Sequence, residues 1–220
     1  ASKRRTVLHP GFRPDFAVEG GPSIARRDGE FLVYLIDQGP DARHAAMAAV
    51  RVVNRAASGE RRGRRARLVM ADRPSDALAL LADCDAALAP SEWLAAGASC
   101  QLAAALACRL PVVAPDSGPI HDLLTIDGRT AGIAAESNAD GVLEVDRIAA
   151  SILRYLRDPA LHDAHRDLAG SLFAARFHVD RAAATCVGAY LHARDFLVFP
   201  GEARPAAVPG RARKVSRESA

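Results

Sequence analysis

Two short, wholly apolar runs on either side of a helix of small residues constrain this chain most. Residues 85–124 open with Asp85-Ala-Ala-Leu-Ala-Pro90-Ser91-Glu92 and turn at Gly97-Ala98-Ser99. A helical run follows from Cys100 to Cys108, then Leu110-Pro-Val-Val-Ala114 and Pro115-Asp116-Ser117-Gly118-Pro119-Ile120-His121-Asp122. Runs that are apolar on both faces suit strands buried inside a parallel sheet. Small and polar residues follow each run, where an open α/β sheet keeps its ligands. The segment predicts strand, loop, helix, strand, loop.

The rest of the chain extends this pattern. Phe31-Leu-Val-Tyr-Leu-Ile36 reads as the first core strand. Asp41 is a candidate N-cap for a helix over 42–57. Leu68-Val69-Met70 reads as a short strand, Ser75 caps a short helix through Leu81, and residues 86–89 form the next strand. Ile148, Ile152 and Leu156, spaced four apart, mark an amphipathic helix over 145–157. Asp158-Pro159 starts another as N-cap and first residue, and a last helix runs from Asp180 to about Phe196. Beyond Pro200 the chain is rich in Pro, Gly, Ala, Arg and Ser, which predicts disorder. The expected class is α/β, a Rossmann-like parallel sheet flanked by helices. Its expected organisation is an entry segment at 1–16, one domain at 17–198 and a basic tail at 199–220.

A chain of 220 residues with 50% hydrophobic and 5% aromatic residues builds one ordinary core from alanine and leucine. Net charge is +3, and the strongest local charge run is Arg61-Arg-Gly-Arg64-Arg65-Ala-Arg67. No aromatic residue interleaves that run to stack on bases, so no nucleic-acid partner is expected. It reads as a solvated basic loop, or alternatively as a contact with phosphates or an anionic membrane face. Cys84, Cys100, Cys108 and Cys186 show no metal spacing. Cys100 and Cys108 lie two helical turns apart, roughly 12 Å, too far for a disulfide. They read as buried thiols in a reducing, cytoplasmic setting. No apolar run reaches the roughly 18 residues of a membrane span, and no signal peptide is visible. The chain opens on Ala1 rather than Met, which reads as a fragment or a processed product.

The turn Gly97-Ala98-Ser99 opens a helix, where free amides and the positive dipole end suit a diphosphate. The plainer reading is an ordinary helix start. Asp116, His121 and Asp122 sit together in the next loop as candidates for acid–base work, or as surface polar residues. No metal site is assigned.

The order of these residues resembles the donor-binding, C-terminal half of retaining GT-B glycosyltransferases of family four. Residues 105–114, Ala-Leu-Ala-Cys-Arg-Leu-Pro-Val-Val-Ala, follow that family's helix-to-strand track, and Pro90-Ser91-Glu92 its Pro-Ser passage. Gly118 and Asp122 fall on its last Gly and Glu, and 127–135 look like its edge strand. Val7-Leu-His-Pro-Gly-Phe12 looks like the crossing into its donor domain, and Arg176-Phe-His-Val179 like its Arg-Phe-Ser-Trp joint. The likeness spans about residues 7–196. It implies one GT-B half-domain binding a nucleotide-activated sugar and transferring the glycosyl group, as a hexosyltransferase does, to an unknown acceptor. An N-terminal acceptor domain or partner chain would complete it, and no cofactor beyond the donor substrate is implied. Both signature carboxylate positions hold alanine, Ala96 and Ala104, and one β-α unit is absent. Ile36-Asp37 stands at the phosphate-holding Gly-Arg, so Arg43 is the cation left near the site. The catalytic residue is therefore unassigned. The candidate donor-binding set is Gly97, Ala98, Ser99, Arg43, Ser91, Glu92, Ser117, Gly118 and Asp122. The alternative is a catalytically inactive domain of this kind, kept as a binding or scaffolding module.

Overall fold

The computed structural model of the chain describes residues 23–36, 39–59, 64–72, 76–92, 98–181, 183, 184, 186 and 187. The expected entry segment, the tail and most of the last helix lie outside them, as do Ser75, Ala96 and Gly97. Five strands form a parallel sheet: β1 (Glu30–Leu35), β2 (Arg65–Val69), β3 (Ala86–Leu88), β4 (Val112–Pro115) and β7 (Gly132–Ala135). Their order across the sheet is β2-β1-β3-β4-β7, and every neighbouring pair is parallel. A small antiparallel pair, β5 (Thr125–Ile126) and β6 (Arg129–Thr130), lies outside it. Asp127 and Gly128 join that pair with φ of 50° and 71°, the left-handed values of a tight hairpin turn.

The strand pleat sorts the helices. Leu32, Tyr34 and Ile36 of β1 and its exit face one core, packed with residues of α2 (Ala77–Ala82), α3 (Ala98–Ala107), α4 (Gly118–Leu124) and α6 (Pro159–Arg176). Phe31, Val33 and Leu35 face the other, with α1 (Pro40–Ala57) and α5 (Val145–Arg157). In helix α3, Leu102 to Leu106 are all buried against the sheet, α2 and α6, while its first turn, Ser99 to Gln101, stays partly open. Each buried leucine there contributes about 2 kcal/mol relative to exposure.

Several expectations need correcting. Helix α1 begins at Pro40 with Gly39 as N-cap, so Asp41 lies in its first turn. Proline at the first helical position has its φ already set, which moves the start ahead of Asp41. Half of the arginine run is not loop, since Arg65, Ala66 and Arg67 belong to edge strand β2. Cys100 and Cys186 are exposed rather than buried, because Cys100 lies on the open side of the first turn of α3. Burial does push the Cys84 thiol up to about 12, and that of Cys108 up as well.

At the amino end of the sheet, α6 is stitched down by histidines. His162, 8% exposed, donates from Nε2 to the carbonyl of Asp85 at 2.8 Å. The Tyr155 hydroxyl of α5 meets Nδ1 of His165 at 2.9 Å. Partial burial, then Arg154, His162 and Arg129, hold the His165 pKa below its ordinary value. The folded state therefore prefers neutral His165. Its contribution is complete above the unfolded pKa of about 6.5 and is lost as pH falls through the lowered folded value. Urea unfolding is expected to show a lower midpoint at pH 5.5 than at 7.5. The slope should flatten in His165→Gln, and equal slopes would show that His165 is not responsible.

Candidate functional site

The strand order reverses direction between β1 and β3. From β1 the chain moves outward to β2, and from β3 it moves to β4 on the other side. Over such a reversal the loops at the carboxyl ends part and leave a crevice. One wall is the head of α1, where Arg43 projects exposed from the first turn. Arg43 shares a cavity of about 90 Å³ with Tyr34, Met70, Asp72 and Gln101. Gln101 comes from α3, so the two helix heads face one space. Ser99 is half-buried in the first turn of α3 and the Ala98 backbone opens that helix.

A second group, at the exits of β3 and β4, is built around Glu92. Its amide donates to the carbonyl of Gly141 at 2.9 Å, and Leu143 donates to the carbonyl of Pro90 at 2.7 Å. Ser91 pairs with Val142 as an antiparallel bridge between these bonds. The Glu92 carboxylate then lies at the head of α4, where Ser117 Oγ donates to Oε2 at 3.2 Å. Two glycines make the seat. A Cβ on Gly118 would lie 2.7 Å from Glu92 Cβ, and one on Gly141 would lie 2.4 Å from its Cδ. A carboxylate at a helix head also gains from the dipole. Ser137 completes the rim, its Oγ 3.3 Å from that of Ser117.

The structure thus brings Ser91, Glu92, Ser117 and Gly118 together. It places Arg43 beside Gln101 of α3, with no hydrogen bond or ion pair between Arg43 and the Glu92 group among the described residues. Asp122 is exposed one turn along α4, and its carbonyl accepts from Arg176 at 2.6 Å. His121 and Asp122 were expected in a loop and are instead helical. Ser117 as N-cap and Pro119 inside the first turn start a helix there. His121 Nε2 lies 3.4 Å from Thr125 Oγ1, and its buried Nδ1 has no hydrogen-bond partner among the described residues. Ser137, Gly141 and Gln101 escaped the sequence reading. The only local signal was the turn composition Asn138-Ala-Asp-Gly141, in which Asn138 Oδ1 accepts from Asp140 and Val142 amides at 3.0 Å each. Chemically, the carboxyl ends of the strands offer a seated carboxylate and hydroxyls around Glu92, and a guanidinium beside the first turn of α3. That set can accept hydrogen bonds from hydroxyl groups and receive an anion.

No protein-family model matches the chain, and no curated protein matches it. Solved structures do. HepE of Anabaena in complex with UDP and glucose superposes with a TM-score of 0.54 and 16% identity, covering 74% of this chain and 49% of HepE. The pneumococcal O-GlcNAc transferase GtfA in complex with UDP and GlcNAc gives 0.54 and 13%, covering 87% of this chain and 39% of GtfA. Sucrose-phosphate synthase of Thermosynechococcus elongatus gives 0.56 and 17%, covering 86% and 52%. All three are glycosyltransferases of GT-B architecture. The chain shares the fold of one part of them. It spans about half the length of HepE and the synthase and less of GtfA. Among the described residues, no helix is long and apolar enough to cross a membrane.

Proposed function

We propose that this chain is the donor-binding half of a retaining, family-four type glycosyltransferase and holds a nucleotide-activated sugar in the crevice over β1 and β3. The observation that carries this reading is the shared fold, whose relatives HepE and GtfA bind UDP with glucose and with GlcNAc. In this reading the amides around Gly97, Ala98 and Ser99 receive the diphosphate, with Arg43 beside it. Glu92, seated by Ser117 and Gly118, accepts hydrogen bonds from sugar hydroxyls next to Ser91, with Asp122 further along α4. Transfer would rely on electrostatic stabilisation of the departing diphosphate, and an acceptor-binding half, on this polypeptide or a partner, would complete the enzyme. The free cysteines suit a reducing, cytoplasmic setting.

Calorimetric titration with UDP-glucose, UDP-GlcNAc and the GDP-sugars tests the reading. Binding is expected, weakened about tenfold in Arg43→Ala through loss of one charge-assisted contact. No heat from any donor at millimolar concentration would overturn it.

A second reading, a non-catalytic binding or scaffolding module, is favoured by Ala104. In the resembling family that position carries a carboxylate. Here it is alanine, 2% exposed and packed among Leu102, Leu106 and α6. Sugar transfer by this polypeptide, lost in Arg43→Ala, would remove the second reading.

A further inference from the structure

Five arginines gather at the amino end of the sheet, away from the crevice. Arg26 and Arg27 lie on the approach to β1, and Arg64, Arg65 and Arg67 lie on the approach to β2 and in its first residues. The register explains the gathering. Glu30 pairs with Arg65, so both strands start at one level and their charged approaches lie side by side. An open groove of about 510 Å³ runs between them, lined by Arg27, Asp28, Glu30, Asn54, Arg65 and Arg67.

Three of the guanidiniums are anchored. Arg26 contacts both oxygens of Asp85, at 2.9 and 2.8 Å. Arg67 pairs with Glu30 at 3.1 Å. Arg64 lies 3.9 Å from Asp85 and 5.2 Å from the centre of the Phe31 ring. Glu30 and Asp85 are thereby engaged. Arg27 and Arg65 stand exposed at the rim, and their guanidiniums make no hydrogen bond or ion pair among the described residues. The field is positive enough to act on Glu30: the Arg27 amide first, then Arg67 and Arg27 charges, hold its carboxyl below the usual range against the opposing effect of burial. Guanidinium forks match phosphate oxygens in pairs. The anchored arginines are already ordered, so a ligand bridging the rim loses little side-chain entropy in meeting them. Phe31, the aromatic ring beside the groove, is fully buried and gives no platform for a base.

We propose that this groove is a phosphate-binding site distinct from the crevice, taking a ligand with two or more phosphate groups, free or displayed as a lipid headgroup. The test uses the full chain with two probes at low salt: tripolyphosphate by calorimetry, and sedimentation with phosphatidylcholine vesicles containing phosphatidylinositol bisphosphate. The double variant Arg27→Ala/Arg65→Ala changes only exposed side chains and should keep the wild-type circular dichroism. Binding of either probe by the Arg43→Ala chain that weakens about tenfold or more when Arg27→Ala/Arg65→Ala is added supports the proposal. Tripolyphosphate binding assigns a free ligand, and vesicle binding alone assigns the lipid. Binding of neither probe, or binding that survives the added double variant, overturns it. So does binding abolished in Arg43→Ala alone, which would put the anion in the crevice.

Discussion

Gly132→Ala is expected to leave the chain largely unfolded. Gly132 sits opposite Val112 where β7 meets β4, with φ at +155°. A Cβ there would fall 1.8 Å from the Val112 carbonyl oxygen and 2.6 Å from its carbon and nitrogen. No rotamer relieves such a clash, because the obstacle is the Val112 backbone itself. The edge strand must move off β4, and the buried residues Val113 and Ile133 lose their packing with it. Overpacking on this scale costs on the order of 4 kcal/mol or more, comparable to the whole stability of many domains. Gly128→Ala is the control. Its φ is +71° but nothing lies within 4 Å of the added carbon, so it should cost only about 1 kcal/mol. Urea unfolding followed by far-ultraviolet circular dichroism separates the two. Equal midpoints would refute the steric account.

The second large effect concerns the edge strand. In the sheet, β2 pairs only with β1. Its outward groups at Ala66 are met by a side chain instead of a strand: Asn54 Nδ2 donates to the Ala66 carbonyl at 2.9 Å, and the Ala66 amide donates to Asn54 Oδ1 at 2.8 Å. One amide side chain from α1 thus mimics a neighbouring peptide at this point of the sheet edge. Asn54→Leu removes both bonds and leaves a half-buried donor and acceptor unmet, at a cost of about 2–3 kcal/mol. Asn54→Asp keeps the acceptor but not the donor and should fall between. Gel filtration of Asn54→Leu should also show concentration-dependent association as the edge seeks another chain. A monomer of wild-type stability would count against this role.

The architecture was legible where local chemistry dictates structure. Phe31-Leu-Val-Tyr-Leu-Ile36 is apolar on both faces because both faces are covered, and Asp158 caps α6 at the Leu161 amide, 2.9 Å away, as Asp-Pro predicts. The pattern of residues 85–124 gave strand, helix and strand in order, with a second helix where a loop was expected. The α4 helix was missed because seven residues are too few for a hydrophobic period to emerge. The site was legible only in part. Ser91 and Glu92 were singled out from their motif position. What seats Glu92 comes from Gly141, 49 positions further along. Asn54 looked like part of an ordinary helix face, since only tertiary structure brings Ala66 alongside it. Ala104 marked a missing carboxylate only by the resemblance, and the structure adds that the position is buried.

The bonds that join residues 90–92 to 141–143 bear on how the crevice can deform. The exit of β3 and the approach to α5 are fastened at two backbone points, and the Glu92 side chain ties both to α4. No one of these three segments swings outward by itself. Widening the entrance is a concerted displacement of all three, and strain introduced by an oversized guest would appear as loosened amide exchange at Glu92 and Leu143 before the strands themselves respond.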